Sequence, residues 1–358
     1  MRVKYSWALV LLLSGCQLTQ SENPDQASEQ TNTSPTKEVS QANVSSEATK
    51  EEPKVEAPVV TPQTQQDVWK RIAMQLEMEV PDQKKVDYYR TWYLKHPSHL
   101  KTVSQRAEPF LYLITTKIEE KGLPLELALL PVVESSFDAF AYSHGSAAGL
   151  WQFISGTGKD YGLEQNFWYD GRRDVAASTD AALDFLSDLN RRFDGDWNHA
   201  IAAYNSGGGR VSSAIRKNKK LGKPIDFFSL DLPKETSSYV PKLLALADVI
   251  ANQEKYGIDI PAIPNKPVLT LVNPDEQLDL AIAANYAGIP VKELQGYNPA
   301  YNQWATAPEK HQQLLLPLSS VEKFNKEVAA NKGKGMKLVR YKVQSGDSIS
   351  VLASKYNT

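Results

Sequence analysis

The sequence has little of several features that mark common classes of protein. Its 358 residues include one cysteine, Cys16, so a framework of intramolecular disulfides is excluded. The formal net charge is only -2, which gives no bulk electrostatic reason to bind nucleic acid. Histidine is scarce, and we expect the close pair His96 and His99 to be exposed polar residues and not metal ligands. We therefore predict no nucleic-acid partner, no metal and no cofactor.

A short apolar run, WALVLLL, lies near the N-terminus behind Arg2 and Lys4. It is too short to span a bilayer permanently and is typical of a secretory signal. The run ends in the letters LSGC, which resemble the lipobox of bacterial lipoproteins, in which the cysteine, here Cys16, is lipidated. Because Gln17 follows and not Asp, the resemblance implies an outer-membrane lipoprotein facing the periplasm. The alternative is a chance cysteine within a cleaved signal.

Composition divides the chain into segments. Residues 1–16 are the predicted lipoprotein signal peptide. Residues 17–67 are rich in Ser, Thr, Glu, Gln and Pro and predict a disordered tether, because they cannot bury enough apolar surface to offset ordering entropy. Helical periodicity dominates residues 68–260 with little strand signal, which predicts an all-helical domain. Three prolines at 261, 264 and 267 mark a domain junction.

A short signature occurs twice in the C-terminal part of the chain. The letters IAANY begin at Ile282, and LASKY begins at Leu352, which is 70 residues later. This spacing predicts an internal repeat of a small unit. We place the two copies in residues 261–320 and 339–358, with a linker over residues 321–338.

One carboxylate in the helical region is unusual. Glu134 follows the apolar letters LALLPVV, and Pro131 is expected to kink the last turn of that helix. At the end of an apolar helix, the helix dipole and the loss of water both raise the pKa of a carboxyl group. A carboxyl that stays protonated near neutral pH suits a general acid for glycosidic cleavage. The alternative is an ordinary solvated glutamate at a helix end.

The letters after Glu134 favour the catalytic interpretation. The stretch SHGSAAGLWQ is small and Gly-rich, so a chain-like ligand can approach its backbone, and Gln152 can hydrogen-bond an amide or hydroxyl. A glycosidase ordinarily needs a second carboxylate about 5 to 9.5 Å from the first. The candidates for it are Asp138, Asp160, Asp170 and Asp174. No spacing singles one out, so the residues alone leave a site with one acid.

Four motifs in order resemble those of the lysozyme-like lytic transglycosylases, in particular the membrane-bound lytic murein transglycosylase D type. ELALLPVVESSFD resembles the first motif, which implies that Glu134 is catalytic and that Ser135 helps to orient it. SHGSAAGLWQ resembles the second motif, which implies substrate-groove positions for Ser143, Gly149 and Gln152.

The third and fourth motifs complete the predicted site. AYNSGGGRV resembles the third and implies that Tyr204 and Asn205 lie beside the sugar at the cleaved bond. ETSSYV resembles the fourth, whose tyrosine corresponds to Tyr239 near the acid. The alternatives are a core position for Tyr204, with its hydroxyl bonded internally, and a helix-end position for Asn205.

The resemblance implies an enzyme that cleaves the β-1,4 bond between N-acetylmuramic acid and N-acetylglucosamine in peptidoglycan. Glu134 would protonate the bridging oxygen while the N-acetyl group of the substrate stabilises positive charge. Glu134 would then act as base toward the muramyl C6 hydroxyl, so that a 1,6-anhydro product forms without water. Glycan strands are the expected partner, and the sequence indicates no protein partner. Two other interpretations stay open: a hydrolytic muramidase and an inert peptidoglycan-binding lipoprotein.

The C-terminal repeats resemble LysM modules, small β-α-α-β units that bind N-acetylglucosamine chains. Residues 261–320 resemble a degenerate copy without the Ser-Gly-Asp turn. In residues 339–358, positions 341–343 would form a first strand and positions 349–356 a first helix. Since the second half is missing, we expect this segment to be poorly packed. The predicted fold class is mainly α: a lysozyme-like helical catalytic domain followed by small α+β LysM-like units.

Overall fold

The structure, a computed structural model, describes residues 60–333 and 341–356. The predicted signal peptide, Cys16 and the tether as far as residue 59 lie outside the described residues. Within the described ranges, every helix is too short or too polar to cross a membrane.

Helices dominate the described residues. They are α1 (Val68–Ala73), α2 (Lys84–Lys95), α3 (Pro97–Ala107), α4 (Leu111–Glu120), α5 (Leu130–Ser135), α6 (Ser155–Asp160), α7 (Val175–Arg192), α8 (Trp197–Ser206), α9 (Gly208–Lys220), α10 (Thr236–Ala251), α11 (Gln253–Tyr256), α12 (Leu280–Ala287), α13 (Val291–Tyr297), α14 (Val321–Ala330) and α15 (Ile349–Tyr356). Strands β1 (Leu269–Val272) and β2 (Leu314–Pro317) pair antiparallel. A helical domain followed by a small α+β unit confirms the predicted fold class.

Several helix ends follow from local residue chemistry. The side chain of Asp174 accepts a hydrogen bond from the backbone N–H of Ala177 at 2.8 Å and so caps α7. Asp196 caps α8 in the same way through the N–H of His199 at 2.9 Å. Gly207 ends α8 with a φ of +85°, which a residue with a side chain rarely adopts. Neighbouring residues therefore account for the start of α7 and for both ends of α8.

The approach to Glu134 differs from the prediction. We expected one helix kinked at Pro131, but residues Leu125–Leu129 form a 3-10 helix and α5 begins afresh at Leu130. Pro131 then falls in the first turn of α5, where a missing N–H leaves no intrahelical hydrogen bond unmade. The new helix is short, and Ser136 ends it in the left-handed conformation with a φ of 51°. The chain therefore turns away directly after Glu134.

Helix α10 lies at the centre of the helical domain, where it packs against α1, α2, α5 and α8. Its core face is fully buried, with Val240, Leu243 and Leu244 at 0% exposure. The loop that follows α5 is anchored from the other side by Trp151, whose indole N–H donates to the Thr179 hydroxyl of α7 at 3.0 Å. The end of α5 thus packs on α10, and the loop that carries Trp151 links it to α7.

Residues 268–317 form the LysM-like unit in the order β1-α12-α13-β2, with a core of its own. Asn298 joins the end of α13 to β2. Its amide donates to the backbone oxygens of Leu294 and Leu315, both at 2.9 Å, and its side-chain oxygen accepts from the N–H of Leu315 at 2.8 Å. This buried side chain therefore pairs with both backbone groups of Leu315, and it adds a second hydrogen bond to the Leu294 oxygen, which also accepts from the backbone N–H of Asn298 at 3.1 Å.

The LysM-like unit packs directly on the helical domain. The Tyr169 ring stacks on His311 with 4.1 Å between ring centroids, and the N–H of Asp170 donates to the backbone oxygen of Ala300 at 2.8 Å. Trp168 and Tyr169 share a buried cluster with Ala300, Ala305 and Ala307. The unit is consequently a fixed neighbour of the helical domain.

Two predicted segment boundaries need correction. Residues 321–330, expected to be linker, form α14, because Phe324 is fully buried against the LysM-like unit. The tether was expected to continue to residue 67, but residues Pro62–Thr64 form a 3-10 helix and Asp67 is buried. The side chain of Asp67 accepts a hydrogen bond from the backbone N–H of Ile263 at 2.9 Å, so the residues just before α1 are fixed to the folded domain.

The prediction for the last described segment, residues 341–356, is confirmed only in part. Helix α15 is present as predicted, but residues 341–344 have no regular structure where we predicted a strand. A strand needs a hydrogen-bonded neighbour, and the one sheet among the described residues contains only β1 and β2. Val343 is 72% exposed and Ile349 is 88% exposed, so the segment is poorly packed, as expected.

We predict that Asn298→Ala lowers the free energy of unfolding by about 2–3 kcal/mol, because it leaves buried backbone groups without hydrogen bonds. The matched change Asn285→Ala, at an exposed position of α12, is expected to alter it by less than about 0.5 kcal/mol. Urea denaturation of the two variants measures the difference. Equal losses in the free energy of unfolding would show that the hydrogen bonds of the Asn298 amide do not stabilise the protein.

Candidate active site

A groove of about 520 Å³ opens on the helical domain, beside the end of α5. One part of its wall is apolar and includes Phe153, Ile154 and Phe185. The polar part includes five of the predicted site residues, namely Glu134, Ser143, Gln152, Tyr204 and Asn205. The structure therefore brings together residues that are up to 71 positions apart in the sequence.

Glu134 lies in the last turn of α5, half-buried in the groove wall. The hydroxyl of Tyr239, from α10, donates a hydrogen bond to its carboxylate oxygen Oε1. Burial raises the pKa of Glu134 to about 7, and the negative charge of Glu235 adds to the rise. The hydrogen bond from Tyr239 and the positive charge of Lys242 act in the opposite direction. The side chain is thus a carboxylic acid that exchanges its proton near neutral pH.

Tyr239 stands behind Glu134 and does not line the groove. It is 5% exposed, and its pKa is raised by burial and then by the neighbouring Glu134. A tyrosine that keeps its proton donates a hydrogen bond to Glu134 whenever that carboxyl group is ionised. Its contact with the acid therefore holds the carboxyl group in one orientation.

Ser135 also lies behind the groove. Its hydroxyl is 3.0 Å from the backbone oxygens of both Pro131 and Leu150, and it donates to one of them at a time. The second contact ties the end of α5 to the loop that carries Trp151. Ser135 thus contacts the backbone on either side of the groove wall and does not touch the carboxyl group of Glu134.

Tyr204 combines the two interpretations left open for it. Its ring lines the groove and packs against Phe185, with 5.3 Å between ring centroids. Its hydroxyl donates internally, to the backbone oxygen of Trp151 at 2.7 Å. Asn205, the next residue of α8, points its amide nitrogen toward the carboxylate of Glu235, 3.4 Å away.

The second motif forms the opposite wall. Gln152 donates through its amide to the backbone oxygen of Gly149 at 2.8 Å, which leaves its side-chain oxygen toward the groove without a donor among the described residues. The hydroxyl of Ser143 accepts from the N–H of Ala147 at 3.0 Å. Gly149 itself is not in the groove lining. A Cβ there would lie 2.1 Å from the backbone oxygen of Arg172, so this position requires glycine for packing.

The four aspartates considered as second carboxylates are absent from the groove lining. Three of them have structural contacts: Asp138 pairs with Arg106 at 3.5 Å, Asp170 pairs with Arg172 at 2.7 Å, and Asp174 caps α7. Over residues 60–333 and 341–356, no group of three or more His, Cys, Asp or Glu is placed to hold a metal ion.

The sequence reasoning missed Glu235, which lines the groove together with Glu134. It is the first letter of ETSSYV, a motif used only to locate Tyr239. Its spacing of four residues before Tyr239, on the approach to the same helix, was the available signal. The spacing alone does not show that the glutamate faces the groove, because that depends on how α10 packs.

Comparisons with known proteins give matches to both folded parts of the chain. Residues 113–227 match the Transglycosylase SLT domain family, and residues 268–332 match the family described as Lytic transglycosylase MltD, LysM-like domain. Membrane-bound lytic murein transglycosylase D of Escherichia coli strain K12 is 42% identical over 302 residues, covering 81% of this chain and 66% of that protein. The chain thus spans just under two thirds of that relative's length.

Two further matches are more limited. A protein of Alteromonas sp. strain M-1, named for tributyltin chloride resistance, is 44% identical over 172 residues, covering 48% of this chain and 81% of that protein. Lytic transglycosylase Slt of Pseudomonas aeruginosa, in an inactive mutant, aligns with a TM-score of 0.34 and 19% identity over 54% of this chain and 33% of that chain. That structural likeness is too weak to carry an argument. From the family matches and the E. coli relative, the chain belongs to the SLT-domain lytic transglycosylases of the membrane-bound lytic murein transglycosylase D type.

Proposed function

We propose that this chain is a peptidoglycan lytic transglycosylase that cleaves the β-1,4 bond between N-acetylmuramic acid and N-acetylglucosamine. The observation that carries the proposal is the carboxyl group of Glu134, held by Tyr239 in a groove with polar amides on its walls. The family match includes Glu134 within residues 113–227, and the E. coli relative is named a lytic murein transglycosylase.

Glu134 is the catalytic residue of the proposed reaction. In its neutral form it donates a proton to the bridging oxygen as the glycosidic bond breaks. The N-acetyl group of the muramyl sugar stabilises the positive charge at C1, so no carboxylate of the protein has to attack that carbon. The ionised Glu134 then takes the proton of the muramyl C6 hydroxyl, whose oxygen closes onto C1. The acid is restored, and the product carries a 1,6-anhydro ring.

The groove walls supply substrate contacts. Gln152 and Asn205 present side-chain amides, which pair with the N-acetyl and hydroxyl groups of the sugars. Tyr204 offers an aromatic surface, and Ser143 shapes the loop at the groove edge. Ser135 and Tyr239 serve the substrate indirectly, because they fix the position of Glu134.

The position of the enzyme in the cell is part of the proposal. The E. coli relatives are named membrane-bound. In this chain, residues 1–16 with Cys16 provide a lipoprotein signal, and lipid on Cys16 anchors the protein to the outer membrane, facing the periplasm. A tether from residue 17 then carries the helical domain and the LysM-like unit to the glycan strands.

Hydrolysis is the second candidate, because Glu235 places another carboxylate in the groove. A muramidase would use it to activate water, and the product would end in a reducing sugar. The mass of the soluble products from purified peptidoglycan separates the two reactions. Transglycosylation predicts muropeptides lighter by one water than reducing ones, and reducing ends throughout would contradict it.

We predict that Glu134→Gln lowers the rate of product release by about 10²–10⁴-fold, because the amide cannot donate the proton. Glu120→Gln, the same change at an exposed position at the end of α4, is expected to retain the rate. Release of soluble muropeptides from purified peptidoglycan measures both. Full activity of the Glu134→Gln variant would show that another group supplies the proton.

We also predict a pH profile set by the acid. The rate should fall as the pH rises through about 7, where Glu134 loses its proton. Tyr239→Phe removes a hydrogen bond that lowers the pKa of Glu134, so the alkaline limb should move to higher pH by roughly half a unit to one unit. Tyr256→Phe, which removes a comparable hydrogen bond to Asp248 away from the groove, is the control. A shift to lower pH in the Tyr239→Phe variant would contradict the assigned role.

A further inference from the structure

Glu235 is a groove carboxylate without a role in the chemistry derived above. It is exposed, it directly precedes α10, and it shares the groove lining with Glu134 and Asn205. We infer that Glu235 is a positioning residue: its carboxylate orients the Asn205 amide toward the substrate, and its charge acts on Glu134 across the same groove. The inference rests on the proposed function and concerns the same groove.

The contact with Asn205 fixes the direction of an amide that could otherwise point either way. The amide nitrogen of Asn205 lies 3.4 Å from Oε1 of Glu235. An ionised carboxylate only accepts hydrogen bonds, so the NH₂ side of the amide must face Glu235. The side-chain oxygen Oδ1 of Asn205 then faces the other way, and none of the described residues donates to it. It is available to accept a substrate N–H.

This geometry indicates what Asn205 recognises. Both sugars of peptidoglycan carry an N-acetyl group, whose N–H is a donor next to the ring. An acceptor oxygen held on the groove wall suits that N–H, whereas an amide turned the other way would present a donor to a donor. The contact of 3.4 Å is long, and bonds of this kind shorten when the ligand is bound. Glu235 therefore acts on substrate binding through Asn205.

The second action of Glu235 is electrostatic. The groups that face Glu134 are Tyr239 and Lys242 from α10, Tyr204 from α8, and Glu235. Glu235 is the carboxylate of this set, and a like charge disfavours ionisation of its neighbour. Burial contributes more to the raised pKa of Glu134, and Glu235, being exposed, acts through solvent. Its contribution should consequently weaken as the salt concentration rises.

Two variants of the full chain separate the two actions. Glu235→Gln retains an acceptor oxygen for Asn205 and removes the charge. Its alkaline limb should move to lower pH by roughly half a unit, and the difference from the wild type should shrink in high salt. Glu235→Ala removes both the acceptor oxygen and the charge. Its alkaline limb should therefore move to lower pH by the same amount, and it should also need roughly five-fold more peptidoglycan for half-maximal rate. Glu254→Gln, an exposed glutamate outside the groove lining, is the charge-matched control and should leave the profile in place.

A double substitution tests the link with Asn205. If Glu235 acts on binding through Asn205, then Asn205→Ala and the Glu235→Ala, Asn205→Ala pair should need similar peptidoglycan concentrations for half-maximal rate. Additive losses would show that the two side chains contact the substrate separately, which overturns the orienting role.

The outcomes also distinguish this inference from the proposed function. An unmoved alkaline limb in Glu235→Gln, with anhydro products from the wild type, would overturn the inference and leave the function standing. Reducing-end products from the wild type, with no release from Glu235→Gln, would assign Glu235 as the base of a hydrolase and overturn both. A limb moved to lower pH, with anhydro products retained, supports both.

Discussion

The structure depends on one constraint, which is that the carboxyl group of Glu134 must be kept from water and still be held in place. Burial alone would leave a polar group without partners, and the hydroxyl of Tyr239 prevents this by donating to it. That contact joins the last turn of α5 to the central helix α10. The same burial that costs stability when Glu134 is ionised supplies a proton donor near neutral pH.

Other contacts of the helical domain hold Glu134 and Tyr239 in place. Helix α5 is short and ends at once in a left-handed turn, so Glu134 faces the groove and not the core. Ser135 ties that turn to the loop of Trp151, and the indole of Trp151 ties the loop to α7. The LysM-like unit packs on this domain through the stack of Tyr169 and His311, so the two parts hold one arrangement relative to each other.

Local chemistry made part of this predictable. The helical periodicity predicted for residues 68–260 depends on neighbouring residues, and it agrees with the helices α7, α8 and α10. The caps Asp174 and Asp196 are local in the same way, because each bonds a backbone N–H three residues ahead. Glu134 was found because it ends an apolar run. The break before Pro131, the helix around Phe324 and the groove position of Glu235 were missed, because each depends on packing between segments distant in sequence. For Ser135, the resemblance implied a role beside Glu134, but its partner Leu150 was not predicted, because that contact joins segments 15 residues apart.

The central claim is that the half-buried carboxyl group of Glu134 is protonated near neutral pH. Infrared difference spectra between the wild type and Glu134→Gln, recorded across a pH titration, isolate the carbonyl band of that one acid. We predict that the band of the protonated acid persists to about pH 7 and is then lost as the carboxylate forms. Loss of the band near the ordinary glutamate pKa of about 4.3 would contradict the account, because Glu134 would then be ionised when it has to donate.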